Sequence, residues 1–156
     1  MVTGWILACL ALLILAAPAH AQMVAARDLG ADARLASKNK AALLVLFSQE
    51  GCPWCERVRR EFLLPMQRNR EYDVKVLMRE IGTDSDAALV DFAGNRTTQA
   101  EFARRQRVKM VPTVMLFGAR GETLAEPLVG FQSSDYYGYF LDQSIDAALA
   151  RLRAAK

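Results

Sequence analysis

Blocks of apolar residues separated by polar breaks predict alternating helices and strands from residue 22 onwards. Residues 42–47 (ALLVLF) are apolar without interruption and have the length of a strand. Such a run is typical of a central strand that is buried on both faces of a sheet. A short helix is predicted before it, from about residue 28 to 37, because Lys38, Asn39 and Lys40 form a polar break.

A second helix is predicted over residues 53–69, after a polar loop. Cys55, Val58 and Phe62 recur at the i, i+3 and i+7 spacing of one buried helix face. Pro65 should end or kink this helix, because proline lacks the N–H that an interior helical position donates. The apolar face therefore directs Cys55 toward the protein interior.

The rest of the chain is predicted to alternate in the same way and to end in a hairpin and a long helix. A Thr98-x-x-Glu101 capping box opens one helix, and Ser133 or Ser134 is expected to cap the last one. In order, the predicted elements are a strand at 74–81, an extended excursion with a turn at 89–96, a helix to 106, a strand at 113–117, a turn at 118–121, a return strand at 122–129 and a helix to 153. The buried residues of the last helix are expected to include Phe140, Ile145, Leu149 and Leu152. This order predicts an α/β fold with a mixed central sheet and helices on both faces.

The amino terminus has the pattern of a secretory signal peptide. Residues 5–17 are apolar, and Ala19 and Ala21 form the small-residue pattern that signal peptidase recognises. We therefore expect residues 1–21 to be a signal peptide and residues 22–156 to form one domain. The apolar run is shorter than the ~20 residues that a spanning helix needs, and an uncleaved amino-terminal anchor is the alternative.

The amino-acid composition excludes several classes of function. The formal net charge of +3 is too small to indicate nucleic-acid binding without a clustered basic face. The chain has three cysteines and one histidine, and cleavage after Ala21 would remove Cys9 and His20. The remaining two cysteines are too few for the common four-ligand metal sites, so no metal site is expected. Hydrolytic mechanisms that need an imidazole base are excluded as well.

Cys52-Pro53-Trp54-Cys55 follows the predicted buried strand and opens the predicted helix. A thiol at a helix amino terminus faces unsatisfied N–H groups and the positive end of the helix dipole, which favour the thiolate. Cys52 is therefore predicted to be the exposed nucleophile. Pro53 is expected to support the site, because its fixed φ suits the first helical position. Cys55, one turn later on the inner side, is near enough to attack a mixed disulfide.

Other uses of this cysteine pair fit the sequence less well. A structural disulfide usually joins distant segments, and a bridge across so short a loop constrains the unfolded chain little. A zinc site would need two further ligands, and covalent haem attachment needs a histidine where Glu56 stands. A copper carrier could use the two thiolates alone. A structural bridge and a copper site stay open as alternatives.

The order of strand, Cys52-Pro53-Trp54-Cys55, helix and a later Val111-Pro112-Thr113 leading into a strand resembles the thioredoxin superfamily. The resemblance covers nearly all of residues 22–156 and implies the thioredoxin fold. It implies that Pro112 is a cis-proline beside the cysteine pair and that its loop pairs with the substrate. Met110, Val111, Pro112 and Thr113 are then expected to bind substrate together with Trp54. Within the superfamily the chain looks like secreted bacterial thioredoxin-related proteins, including those of sulfur-oxidation gene clusters.

Several positions depart from the family pattern. Many thioredoxins carry a buried aspartate six residues before the first cysteine, where this chain has Leu46. Glu50 could support the active site in its place, or it could be an exposed loop carboxylate. Pro53 and Trp54 look more like the glutaredoxin pattern, so the direction of electron flow stays open. The basic run at 104–109 could steer acidic partners, or it could be a solvated helix end.

These expectations converge on a periplasmic thiol-disulfide oxidoreductase that acts on protein thiols and disulfides, most simply as a reductant. No cofactor is expected beyond the redox-active Cys52–Cys55 disulfide. A membrane protein is the expected electron donor, because a secreted chain has no access to NADPH-driven reductases. A monomer that binds no nucleic acid is expected. The alternative is a non-catalytic thioredoxin-fold binding module or a copper-handling protein.

Overall fold

A computed structural model describes residues 22–154 of the chain. The predicted signal peptide at 1–21, with Cys9, lies outside the described residues. The predicted single domain at 22–156 is described up to residue 154. Within the described residues, no helix is both long enough and apolar enough to cross a membrane.

The central sheet has four strands, namely β1 (Ala42–Ser48), β2 (Val76–Gly82), β5 (Thr113–Phe117) and β6 (Leu128–Val129). Their order across the sheet is β2-β1-β5-β6. β1 pairs parallel with β2, whereas the β1–β5 and β5–β6 pairs are antiparallel. A separate hairpin of β3 (Ala88–Val90) and β4 (Arg96–Thr98) is the excursion expected from the sequence. The predicted mixed sheet is confirmed.

Helices lie on both faces of this sheet, as the sequence predicted. They are α1 (Leu29–Lys38), α2 (Pro53–Val58), a π-helical segment (Arg59–Leu63), α3 (Leu64–Arg68), α4 (Arg70–Asp73), α5 (Gln99–Arg105) and α6 (Ser134–Ala154). The expected caps form, because the Thr98 hydroxyl accepts the N–H of Glu101 at 3.2 Å and the Ser133 hydroxyl accepts that of Asp135 at 3.2 Å.

Strand β1 is fully buried because its alternating side chains enter two different cores. Leu44 and Leu46 pack on the face that carries α2 and α6. Leu43, Val45 and Phe47 pack on the face that carries α1 and α5. The uninterrupted apolar run of the sequence is therefore explained by burial on both sides.

The helix predicted over residues 53–69 is confirmed, since α2, the π-helical segment and α3 follow one another from Pro53 to Arg68. Pro65 was expected to end or kink this helix, and it does not end it. The N–H of Leu64 donates to the carbonyl of Arg59, five residues earlier. Pro65 therefore falls in the first turn of α3, where its missing N–H removes no interior helical hydrogen bond.

Two further predictions are wrong in detail. The return strand predicted at 122–129 is reduced to β6 and one bridge between Phe117 and Thr123. If the antiparallel register of that bridge continued, residue 126 would lie opposite Val114, but Leu128 lies there instead. Two extra residues therefore form a bulge in this strand. The bulge lies beside Pro127, which has no N–H to donate to a neighbouring strand. Phe140, predicted to be buried, is exposed on α6, and Tyr137 and Leu141 are buried instead.

Candidate active site

The cysteine pair lies at the point where the buried strand β1 passes through a short loop into α2. Cys52 and Cys55 form a disulfide with their Cα atoms 5.3 Å apart. Cys52 is partly exposed, whereas Cys55 is fully buried. An incoming thiol can therefore reach Cys52 while Cys55 is shielded by the protein.

Cys52 is the N-cap residue of α2. Its sulfur accepts the backbone N–H of Cys55 at 3.1 Å, which satisfies one of the free donors at the helix start. Pro53 occupies the first turn and is exposed, as expected from its fixed φ. The same N–H would stabilise negative charge on this sulfur after reduction, because a charged acceptor strengthens a hydrogen bond.

The second segment of the site is the loop before β5. The Val111–Pro112 peptide bond is cis, and Pro112 and Thr113 are buried. The Thr113 hydroxyl donates to the carbonyl of Met110 at 2.7 Å, which fixes the loop from within. Met110 is exposed and Val111 is partly buried. Side chains of this loop are thus available to a bound polypeptide.

Gly130 closes the loop on the side of β6. Its N–H donates to the carbonyl of Pro112 at 2.7 Å, and its φ is +77°, which glycine adopts easily. A Cβ atom added at Gly130 would lie 3.3 Å from the Met110 sulfur. The absence of a side chain at this position leaves room for Met110.

Trp54 is held by a cluster that the sequence analysis did not identify. Its ring stacks on Phe131 with centroids 5.8 Å apart, and the Arg57 guanidinium lies 4.8 Å from the centroid of Phe131. Arg57 is itself fixed by Glu61, whose carboxylate accepts two of its N–H groups at 2.9 and 3.2 Å. The hydrogen bond with Arg57 is the main cause that lowers the pKa of Glu61. Trp54 remains half-exposed, so part of its side chain is accessible to a partner.

The predicted supporting carboxylate at Glu50 is exposed in the loop. Its backbone N–H donates to Asp84 at 3.1 Å. The carboxylate that reaches the α2 face of the sheet comes instead from Glu80, which lies opposite Leu46 on the neighbouring strand β2. Its side chain is 16% exposed and accepts the Ser48 hydroxyl at 2.6 Å.

Arg59 joins this carboxylate to the helix that carries the cysteines. Its guanidinium donates to Glu80 at 2.5 and 3.2 Å and also contacts Glu56. The hydrogen bond with Glu80 is the main cause that raises the pKa of Arg59. Arg59 also lies one turn after Cys55, and its N–H donates to the Cys55 carbonyl. The pair therefore ties the buried cysteine to β2.

The basic run at 104–109 lies at the end of α5 and in the loop after it. Arg104 pairs with Glu101, and Arg105 pairs with Asp91 at 3.3 Å. Arg107 and Lys109 are exposed. Two of the four cations are thus engaged within the protein, and steering of acidic partners stays a prediction. Among residues 22–154, no group of three His, Cys, Asp or Glu side chains is arranged to hold a metal ion.

Sequence reasoning missed Phe131, Glu80 and the ion pair that Glu80 forms with Arg59. Phe131 follows a two-residue strand whose register is shifted by a bulge, so no local pattern brought it next to Trp54. Glu80 lies opposite Leu46 in the parallel pairing of β1 and β2, so the register of that pairing would have identified it. The register of that pairing cannot be read from either strand alone.

Comparisons with known proteins agree with this geometry. Thioredoxin h from poplar, at 14% identity, has a TM-score of 0.52 and matches over 76% of this chain and 95% of its own. The thioredoxin from Plasmodium falciparum, at 15% identity, also gives 0.52 over 79% and 96%. The thioredoxin pre-protein of Schistosoma mansoni, at 15% identity, gives 0.51 over 81% and 97%. At such identities the likeness shows the fold, which confirms the predicted thioredoxin fold.

The bacterial subtype is not established by these comparisons. The periplasmic thioredoxin SoxS from Paracoccus pantotrophus, at 18% identity, matches over 69% of this chain and 98% of its own, with a TM-score of 0.47. No curated protein sequence matches the chain. The fold and the Cys52–Cys55 disulfide together support a thiol-disulfide oxidoreductase in general terms. Residues 29–145 match the Thioredoxin-like domain family, to which this chain therefore belongs.

Proposed function

We propose that this protein is a periplasmic thiol-disulfide oxidoreductase that reduces disulfides of client proteins, of the kind found among secreted bacterial thioredoxin-related proteins. One observation carries the proposal. The accessible sulfur of Cys52 accepts the Cys55 N–H at 3.1 Å, while the Cys55 sulfur is buried behind it. This asymmetry gives one cysteine the attacking role and the other the resolving role.

The reaction begins with the reduced pair. The Cys52 thiolate attacks one sulfur of a client disulfide, the client S–S bond breaks, and the other client sulfur leaves as a thiolate that takes up a proton. Cys55 then loses its proton and attacks the Cys52 sulfur. The mixed disulfide breaks, the second client thiol is released, and the Cys52–Cys55 disulfide of the present structure forms. Two electrons have passed from the protein to the client.

The surroundings of the disulfide suit a polypeptide substrate. The cis Pro112 loop leads into β5, which pairs with β1, the strand that ends just before the loop to Cys52. Met110 of the cis Pro112 loop and Trp54 are both exposed. A client segment that contacts these two side chains would bring its disulfide to Cys52.

Electrons must return to the disulfide after each turnover. In the periplasm a membrane protein with its own reduced dithiol is the donor that this proposal requires, and each cycle transfers two electrons and two protons from it. The signal-peptide pattern at residues 1–21 supports this location. The redox-active disulfide supplies the chemistry, so the proposal includes no additional cofactor.

Disulfide reduction of insulin by dithiothreitol, followed by the turbidity of the released chains, tests the function. The unmodified protein should accelerate the reaction, and Cys52→Ser should abolish the acceleration because no nucleophile remains. Reduced Cys55→Ser, incubated with insulin in the absence of dithiothreitol, should accumulate a mixed disulfide through Cys52 that later addition of dithiothreitol releases. Cys9→Ser is the matched control and should behave like the unmodified protein. Full acceleration by Cys52→Ser, or no acceleration by the unmodified protein, would leave a binding module as the better description.

A further inference from the structure

A cavity of about 290 Å³ lies between the edge strand β6 and the first two turns of α6. Leu128 and Val129 of β6 form one side, and Tyr136 and Phe140 of α6 form the other. Tyr137, which is buried, also lines it. This cavity does not contain either cysteine, and the roles proposed above do not use it.

Its lining is uncharged and largely apolar. The polar groups among its walls are the side chains of Gln132 and Ser133 and the hydroxyls of Tyr136 and Tyr137, all of which are uncharged. Three apolar or aromatic residues around it are strongly exposed, namely Val129 at 50%, Tyr136 at 64% and Phe140 at 48%. A cluster of exposed large apolar side chains at a concave site is typical of a binding surface.

The cavity adjoins the cis-proline loop and Trp54, which are proposed above to contact the client. Gly130 lines the cavity and donates its N–H to the carbonyl of Pro112 at 2.7 Å. The next residue, Phe131, stacks on Trp54 and lies 5.2 Å from the ring of Tyr137 in the cavity wall. A polypeptide that crosses the cis-proline loop toward β6 therefore reaches the cavity without leaving the surface.

We propose that this cavity binds an apolar side chain, aliphatic or aromatic, of the same client segment whose cysteine reacts with Cys52. The inference rests on the proposed function and adds a substrate preference to it. The uncharged lining favours an apolar group and would leave a buried aspartate or lysine of the client without a partner. The exposed carboxylate of Asp135, in the first turn of α6, disfavours an anionic lipid surface as the occupant.

Peptide disulfides provide a direct test on the full chain. Each probe is a short peptide with one cysteine bound to glutathione and with leucine, phenylalanine or aspartate placed in turn at the three positions on either side. The second-order rate constant with the reduced protein is divided by that for glutathione disulfide. At one position the apolar residues should exceed aspartate by about tenfold, the scale on which an apolar pocket discriminates.

Substitutions then assign this preference to the cavity. Phe140→Ala and Tyr136→Ala should each reduce the apolar preference at least threefold. Tyr139→Ala is the matched control, because Tyr139 is 59% exposed on the same helix and does not line the cavity. It should keep the full preference. Equal rates for all peptides, or an equal loss in Tyr139→Ala, would overturn the inference.

The remaining outcomes separate this inference from its rivals. An absence of reaction with insulin and with every disulfide probe would refute the proposed function itself, whereas reaction with these disulfides and no peptide preference would refute the cavity alone. If the protein binds phosphatidylglycerol vesicles and Phe140→Ala removes this binding, the occupant of the cavity would be lipid. A dimer in sedimentation analysis that Phe140→Ala dissociates would assign it to a second copy. Either result would overturn the client assignment.

Discussion

The ion pair between Arg59 and Glu80 gives a quantitative prediction about how the cysteine-bearing helix is held. Two guanidinium N–H groups donate to the carboxylate, and the Ser48 hydroxyl donates to it as well. The Arg59 and Glu80 side chains are only 20% and 16% exposed. Glu80→Gln keeps the shape of the side chain but removes the charge that compensates Arg59.

The loss in free energy of unfolding expected for Glu80→Gln lies between the values for buried and exposed ion pairs. Breaking a buried ion pair by removing one partner costs about 3–5 kcal/mol, and an exposed pair contributes about 0.2–1 kcal/mol. Because the Arg59–Glu80 pair is mostly buried while Glu56 still contacts Arg59, we expect a loss of about 2 kcal/mol in the free energy of unfolding. For a domain of this size that corresponds to a decrease in Tm of about 8 °C.

Thermal and urea unfolding of the oxidised protein would measure this loss. Glu71→Gln is the matched control, because Glu71 pairs with Lys75 at 2.7 Å but is 65% exposed. Its cost should stay below about 0.5 kcal/mol. A double-mutant cycle of Glu80→Gln with Arg59→Gln should give a coupling energy above about 1 kcal/mol. Equal costs for the two glutamate variants, or no coupling between Arg59 and Glu80, would refute the role assigned to the pair.

Two further predictions concern the hairpin and the turn that precedes β6. Burial alone would raise the pKa of Asp91, but hydrogen bonds from Asn95 and its neighbours hold it below its usual value. The ionised carboxylate therefore stabilises the fold above about pH 4 and loses this effect as the pH falls through the lowered pKa. The Tm difference between the unmodified protein and Asp91→Asn should accordingly shrink below pH 4, and a constant difference would contradict this. Gly121→Ala should destabilise the protein more than Gly94→Ala by at least about 1 kcal/mol, measured by urea unfolding. Both glycines have a positive φ, but a Cβ at Gly121 would lie 2.5 Å from the Phe92 ring, whereas nothing lies within 4 Å at Gly94; equal costs would refute this.

The features that were predictable from sequence are those that short patterns determine. The apolar run of β1 and the cap at Thr98 each depend on neighbouring residues, and the structure has both. The position of Cys52 at a helix start follows equally from one strand, one loop and one proline. Local sequence was sufficient for these three features because each is determined by residues close to it in the chain.

The features that were mispredicted depend on distant parts of the chain. The return strand predicted at 122–129 is shortened to β6, because its pairing with β5 is interrupted by a bulge. Phe140 was expected to face inward, yet α6 turns Tyr137 and Leu141 to the core instead. Helical spacing gives the period of the buried face, but packing against the sheet decides which residues occupy it.

We propose that the Cys52–Cys55 pair is an exchangeable, reducing couple. Equilibration of the full chain with graded ratios of reduced and oxidised dithiothreitol, followed by alkylation and tryptic digestion, measures it directly. The peptide 41–57 contains both cysteines and excludes Cys9. We predict one two-electron transition near the thioredoxin value of about −270 mV. A pair that stays oxidised in strong reductant would contradict catalysis, and a transition near −120 mV would contradict the reducing direction.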